Sequence, residues 1–99
     1  MKQIPNEFKK QNFEFRLLAR RYNVALYMKK RDKIYSYEVH IIRKRKERIL
    51  DGNVIPAGEY LASNEEFGYY AWSFQDYKLA LLKYRYEFLK QKTEQTKYQ

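Results

Sequence analysis

Three short runs alternate apolar with polar residues, and this alternation constrains the fold more than any other feature of the chain. Phe13, Phe15 and Leu17 are separated by Glu14 and Arg16; Val24, Leu26 and Met28 follow; Tyr35, Tyr37, Val39 and Ile41 make the third run. A period of two sends successive side chains to opposite faces of an extended strand, so each run reads as a strand with one face toward a core. The connections Arg20-Arg21-Tyr22-Asn23 and Arg31-Asp32-Lys33 are short and polar. That predicts an antiparallel meander of three strands.

Toward the C-terminus the period changes. Tyr77, Leu81, Tyr84 and Phe88 fall at i, i+4, i+7 and i+11, one face of a helix that Leu82 and Leu89 widen, while Lys78, Lys83, Arg85, Lys90 and Lys92 take the rest. Ser73 with Asp76 predicts a capping box at its start. At the other end, Pro5-Asn6-Glu7 before Phe8-Lys9-Lys10-Gln11 predicts a short helix. Asp51-Gly52-Asn53 is the clearest turn signal and Pro56-Ala57-Gly58 a second break; Val54-Ile55 is at most an edge segment, and residues 59–72 read mostly as loop. The expected class is α+β: a short N-terminal helix, a three-stranded antiparallel sheet and a C-terminal amphipathic helix packed on one face. Residues 1–99 make a single domain, with 1–5 and 93–99 expected to fray.

Composition excludes several chemistries. The 99 residues contain no cysteine and one histidine, which leaves no disulfide, no thiolate nucleophile and no recognisable zinc set. His40 shares the polar-side parity of Glu38, with no nucleophile or metal partner placed by spacing. Glu65 and Glu66 are adjacent, so their side chains diverge, unlike a working carboxylate pair. Gly52, Gly58 and Gly68 are too scattered for a phosphate loop. The chain is therefore expected not to be an enzyme, and to use no cofactor and no small-molecule substrate. Eleven tyrosines raise the aromatic content to 18%, enough for a core if their hydroxyls stay wet or paired. No apolar run approaches the roughly 18 residues that span a bilayer, and the N-terminus has no apolar signal region, so a cytoplasmic protein without a membrane partner is expected.

Charge is distributed in blocks. Residues 1–48 carry fifteen Lys/Arg against five acids, residues 49–77 none against five, and residues 78–99 six against two, for a net +9. This suggests two surfaces of opposite sign; the simpler alternative is a basic protein with an acidic loop region. In YEVHIIRKRKERIL, Tyr37 to Leu50, a strand runs out into Arg43, Lys44, Arg45, Lys46 and Arg48. If 24–31 and 33–45 pair as a hairpin, these cations and Lys29, Lys30, Arg31 and Lys33 bracket the sheet, a spread that nucleic-acid phosphates can bridge. Tyr27, Tyr35 and Tyr37 would stack on bases if exposed. Alternatively the tyrosines face the core and the cations only keep the protein soluble. Glu65, Glu66, Phe67 and Tyr69, acids beside aromatics, are candidate protein-binding residues; alternatively Trp72 and Phe67 plug the sheet–helix core and the glutamates cap loops.

The expected order of elements matches the double-stranded-RNA-binding domain in outline, but its Gly-Pro-His loop and Lys-Lys-x-Ala-Lys helix start are absent, and the chain is not assigned to it. The combination of YSYEVHIIRKRKER, IPAGEYLASNEEFGYYAWSF and an amphipathic helix resembles small orphan proteins of phages and mobile elements in Bacteroidetes, over most of residues 13–90. Such proteins include anti-CRISPR inhibitors. The resemblance implies action on an RNA-targeting, RNA-guided nuclease in the cytoplasm of a bacterial host. The expected function is thus a non-enzymatic binding protein acting on RNA or an RNA–protein complex. The rivals are a protein-binding virion or host-takeover adaptor and a nonspecific nucleic-acid binder.

Overall fold

The alternating runs form the middle of a five-stranded antiparallel sheet in the computed structural model, which describes residues 3–97 and side chains as far as residue 92. The strands are β1 (Glu7–Lys10), β2 (Phe13–Arg21), β3 (Val24–Arg31) and β4 (Ile34–Ile41). Four short strands follow, β5 (Arg43–Arg45), β6 (Arg48–Leu50), β7 (Asn53–Ile55) and β8 (Gly58–Tyr60), then a 3-10 turn (Asn64–Glu66), β9 (Ala71–Phe74) and α1 (Tyr77–Lys97). The main sheet has the order β1-β2-β3-β4-β9. β5 pairs with β8 and β6 with β7, so residues 43–60 make one long two-stranded arm.

Two expectations about the sheet need correction. It has five strands, not three, and no N-terminal helix forms. Gln11 and Asn12 take φ of +53° and +68°, the left-handed turn that suits the twist of a two-residue hairpin, and this folds Phe8 back onto Phe15. The two rings stack with centroids 4.8 Å apart. A stacked aromatic pair and an edge ladder outweigh the weak helix signal of Glu7-Phe8-Lys9-Lys10. The fifth strand comes from AWSF, where Trp72 and Phe74 face α1 and Ala71 and Ser73 pair across from His40 and Glu38. Ser73 is thus a strand residue and caps nothing. Asp76 caps the helix instead, its Oδ1 accepting from the Lys78 amide at 2.8 Å.

Both faces of the sheet are covered. Under α1 lie Val24, Leu26 and Val39, all at most 1% exposed, against Ala80 and Tyr84 of the helix. Ala80, wholly buried, lets the helix sit close, so only a narrow strip of it meets the strands. Leu82 and Leu89 therefore stay 61% and 52% exposed instead of widening the apolar face. The opposite face carries Phe15, Ala25 and Tyr27, roofed by Phe8, Ile4, Ile42 and Leu61. A bulge at Leu18 divides β2 between these cores. Before it Phe15 and Leu17 pack on the second face; after it Ala19 turns beneath α1 and Arg20 turns to the second face, where it meets Glu59. Were Leu18 paired in regular alternation instead of bulged, Arg20 would fall opposite Val24, under the helix.

Of the ends expected to fray, residues 1–2 and 98–99 lie outside the described residues. No helix among the described residues is long and apolar enough to cross a membrane.

Candidate nucleic-acid interface and the cleft at its root

The register of β3 and β4, from Val24 opposite Ile41 to Arg31 opposite Ile34, fixes where the predicted cations lie. Lys30, Arg31 and Lys33 cluster at the β3–β4 turn. The arm leaves from the far end of β4. Lys44, Arg45, Lys46 and Arg48 are exposed along it, and none of them is in a salt bridge among the described residues. At its tip Asp51 and Gly52 take φ of +52° and +79°, a tight two-residue turn, and the tip exposes Ile49 (74%) and Val54 (61%), which sit directly opposite each other.

Not every predicted cation is available to a partner. Arg43 donates to Glu66, and its guanidinium lies 3.9 Å from the Tyr70 ring centroid and 4.8 Å from that of Tyr60. The Glu66 hydrogen bond raises Arg43 further above its ordinary pKa, outweighing the loss of solvent, and it holds the Glu66 carboxyl below the usual carboxylate range. Arg43 is therefore a structural clamp at the root of the arm. A second clamp lies beside it: Arg20 donates to both carboxylate oxygens of Glu59 on β8, at 2.9 and 2.7 Å. That hydrogen bond is the main reason the Glu59 carboxyl sits low, against the opposing effect of burial.

Lys29 also differs from its expected place on an open basic end. It reaches across the second face, its Nζ 3.2 Å from Glu38 Oε2 and 4.1 Å from the centroid of the Phe13 ring. Glu38 Oε1 lies 2.8 Å from His40 Nε2. Burial is the largest single influence on Glu38 and would raise its pKa, but the His40 hydrogen bond and attraction, with Lys29, together outweigh it and the carboxyl is lowered. His40 and Glu38 share one face of β4, as their parity requires, but that face is covered: they are 2% and 4% exposed. His40 Nδ1 is buried with no hydrogen-bond partner among the described residues.

This Lys29–Glu38–His40 row floors a cleft of about 280 Å³. Phe8, Phe13, Phe15 and Phe67 line it with Leu61, and Ser73, Asn64, Gln11 and Lys10 reach it as well. The cleft lies near the arm at both strands: His40 on β4 is three residues before Arg43, and Tyr60 of β8 leads into Leu61.

The tyrosines divide. Tyr27 is 1% exposed, and burial raises its hydroxyl pKa, so it cannot stack on a base. Tyr37 packs edge-on against Tyr77 with centroids 5.3 Å apart, and Tyr35 is 47% exposed beside Lys30. Of the candidate protein-binding residues, Glu65 and Tyr69 are exposed, the latter at 75%. Glu66 closes a capping box with Ser63, accepting from its amide and hydroxyl, besides its pairing with Arg43. Phe67 stands edge-on to His40 at 5.7 Å, on the sheet face opposite to the helix core, so of the two readings of this residue the core plug under the helix is not the one formed. Trp72 does pack in that helix core, with Lys83 Nζ 4.1 Å above its ring.

Sequence reasoning missed the cleft. The one available signal was the shared parity of Ser36, Glu38 and His40, which places polar groups on a single face without saying what covers it. No known protein family matches the chain, and no curated protein or solved structure is detectably similar to it.

Proposed function

We propose that this is a non-enzymatic protein that binds RNA, free or within an RNA–protein complex, with the two-stranded arm as its main electrostatic contact. The observation that carries this reading is the set of exposed cations Lys44, Arg45, Lys46 and Arg48 on one ribbon, none of them in a salt bridge among the described residues, although Lys44 lies across from Glu59. A paired ribbon holds its cations at fixed spacings, Lys44 and Arg45 on its opposite faces, at little further conformational cost, which suits phosphates that wrap its edge. Lys30, Arg31 and Lys33 at the other end of the sheet extend the charged track. An RNA-guided nuclease with its guide is the partner that the resemblance to phage and mobile-element proteins implies; inhibition would then follow from occupying the guide's phosphates.

The test is binding of single-stranded RNA across a salt series. Four arm cations predict a slope of log K against log salt of about −3, from roughly −0.7 per phosphate neutralised. Reversing Lys44, Lys46 and Arg48 to Glu should flatten that slope and leave the thermal midpoint in place; Arg43 is left intact because it clamps the root. Salt-independent binding, or full affinity in the reversed variant, would sink the reading.

A second reading, a protein-binding adaptor, is favoured by one observation. Leu79, Leu82 and Tyr86 of α1 are 54%, 61% and 60% exposed on a helix whose other side is packed. It predicts capture of a protein partner that survives both RNase and high salt and is lost on changing Leu82 and Tyr86 to Ser.

A further inference from the structure

We propose that the cleft at the root of the arm receives one unstacked nucleobase of the strand whose phosphates lie along the arm. The inference rests on the nucleic-acid reading above and names what that surface would read besides charge.

Four features of the cleft select a neutral planar heterocycle. Its size, about 280 Å³, is at the low end of ligand pockets and suits a single ring system. Its walls are aromatic: Phe13 and Phe15 on one side and Phe67 on the other offer π-faces and edges, which every base can use for stacking. Its floor presents donors and acceptors together. Lys29 uses one of its three protons on Glu38, each Glu38 oxygen keeps a lone pair, and Ser73 offers a hydroxyl. Lys29 and Glu38 pair with each other on the floor, so a free anion there is opposed by the carboxylate and a free cation by the ammonium, while Lys10 at the lining adds a positive charge that a base carried on its own phosphate strand satisfies. A base edge, neutral and with alternating donors and acceptors, meets neither objection.

The Nδ1 of His40, a residue of the cleft lining, has no partner among the described residues. A buried ring nitrogen without a partner is uncommon and costly, and it lies in the same wall as Phe67. Phe67 follows the Glu66 carboxylate that holds Arg43, so the segment covering His40 is tied to the arm through one residue. Continuity adds to the geometry: Leu61, next after Tyr60 of β8, and His40, three residues before Arg43 of β5, both line the cleft, so it lies near the root of the arm.

The experiment compares an octameric single-stranded RNA with an abasic octamer of the same ribose-phosphate backbone, on the wild-type protein and on Phe67→Ala. The abasic strand should bind roughly 5- to 100-fold more weakly to the wild type, with the same salt slope, and Phe67→Ala should shrink that gap. In parallel, the His40 ring resonances of the wild type should shift on titration with the four nucleoside 5′-monophosphates, a readout that needs no variant. Equal affinity for the two strands with a steep salt slope overturns the base-binding cleft and leaves the RNA reading standing. A gap that persists in Phe67→Ala with unmoved His40 resonances likewise overturns it, since the bases are then read elsewhere. Failure of both strands to bind removes the RNA reading itself.

Discussion

Glu38 is the residue on which most of the second face depends. It is 4% exposed and holds Lys29 on one oxygen and His40 on the other. Glu38→Ala removes the only carboxylate of that row and leaves a partly buried ammonium unpaired. Breaking such a pair costs about 3–5 kcal/mol when both groups are buried, and the Lys29 side chain, 24% exposed, places the loss toward the lower figure. Urea unfolding at pH 7 should show it as a lower midpoint with an unchanged slope. Arg20→Ala should do similar damage by stranding Glu59, whose side chain is 4% exposed. The sequence made the shared side of Glu38 and His40 legible, because parity along a strand is local. It could not reveal that this side is buried, because the cover comes from residues 61–67, twenty and more positions away. For the same reason Lys29 reads as one of a surface cluster, although β-register sends it inward and Lys30 outward.

Elements were legible in proportion to the length of their periodic pattern. β2, β3, β4 and α1 each span at least eight residues and were readable from spacing alone. β1 and β9, four residues each, exist because a neighbour offers them an edge, and that is tertiary information. The arm was announced only by its turn. Gly52 has φ +79° and no atom within 4 Å of an added Cβ, so Gly52→Ala carries a purely conformational cost of about 1 kcal/mol. β6 and β7 pair only with each other, so the cost should be confined to them. Hydrogen exchange of the β6 and β7 amides should quicken several-fold while the thermal midpoint stays put. Asp76→Ala behaves oppositely. The lost cap belongs to a helix that forms half of a core, so about 1 kcal/mol should appear as a global drop of about 4–8 °C in Tm.

At the scale of the molecule, a slab of 42 × 41 × 22 Å carries a net charge of +9 and three carboxyls held low by specific partners. Glu59 and Glu66 are lowered by their arginines, and Glu38 by His40 and Lys29 against its burial. A carboxyl lowered in the folded state stabilises fully above its unfolded value, about 4.3, and loses that contribution as pH falls through the folded one. Urea midpoints should therefore be level from pH 7 to 5 and fall below about pH 4.3. Added salt should recover only the part due to repulsion among the surface cations, since buried pairs are little screened. A helix packed on one face of an antiparallel sheet could be anticipated from alternation and spacing, and the basic charge from composition, but not the cover on the second face. The cleft could not, because it is enclosed by five segments that meet only after folding. The arm has a last consequence, in how the chain could be cut. Its two strands are rooted separately, one continuing from β4 through Arg43 and the other bolted to β2 by Arg20 and Glu59. A protease that severed Asp51 from Gly52 would thus leave two fragments still joined as one particle, its sheet and helix intact. The tip is the place where this protein can be opened, tagged or lengthened by insertion without being taken apart.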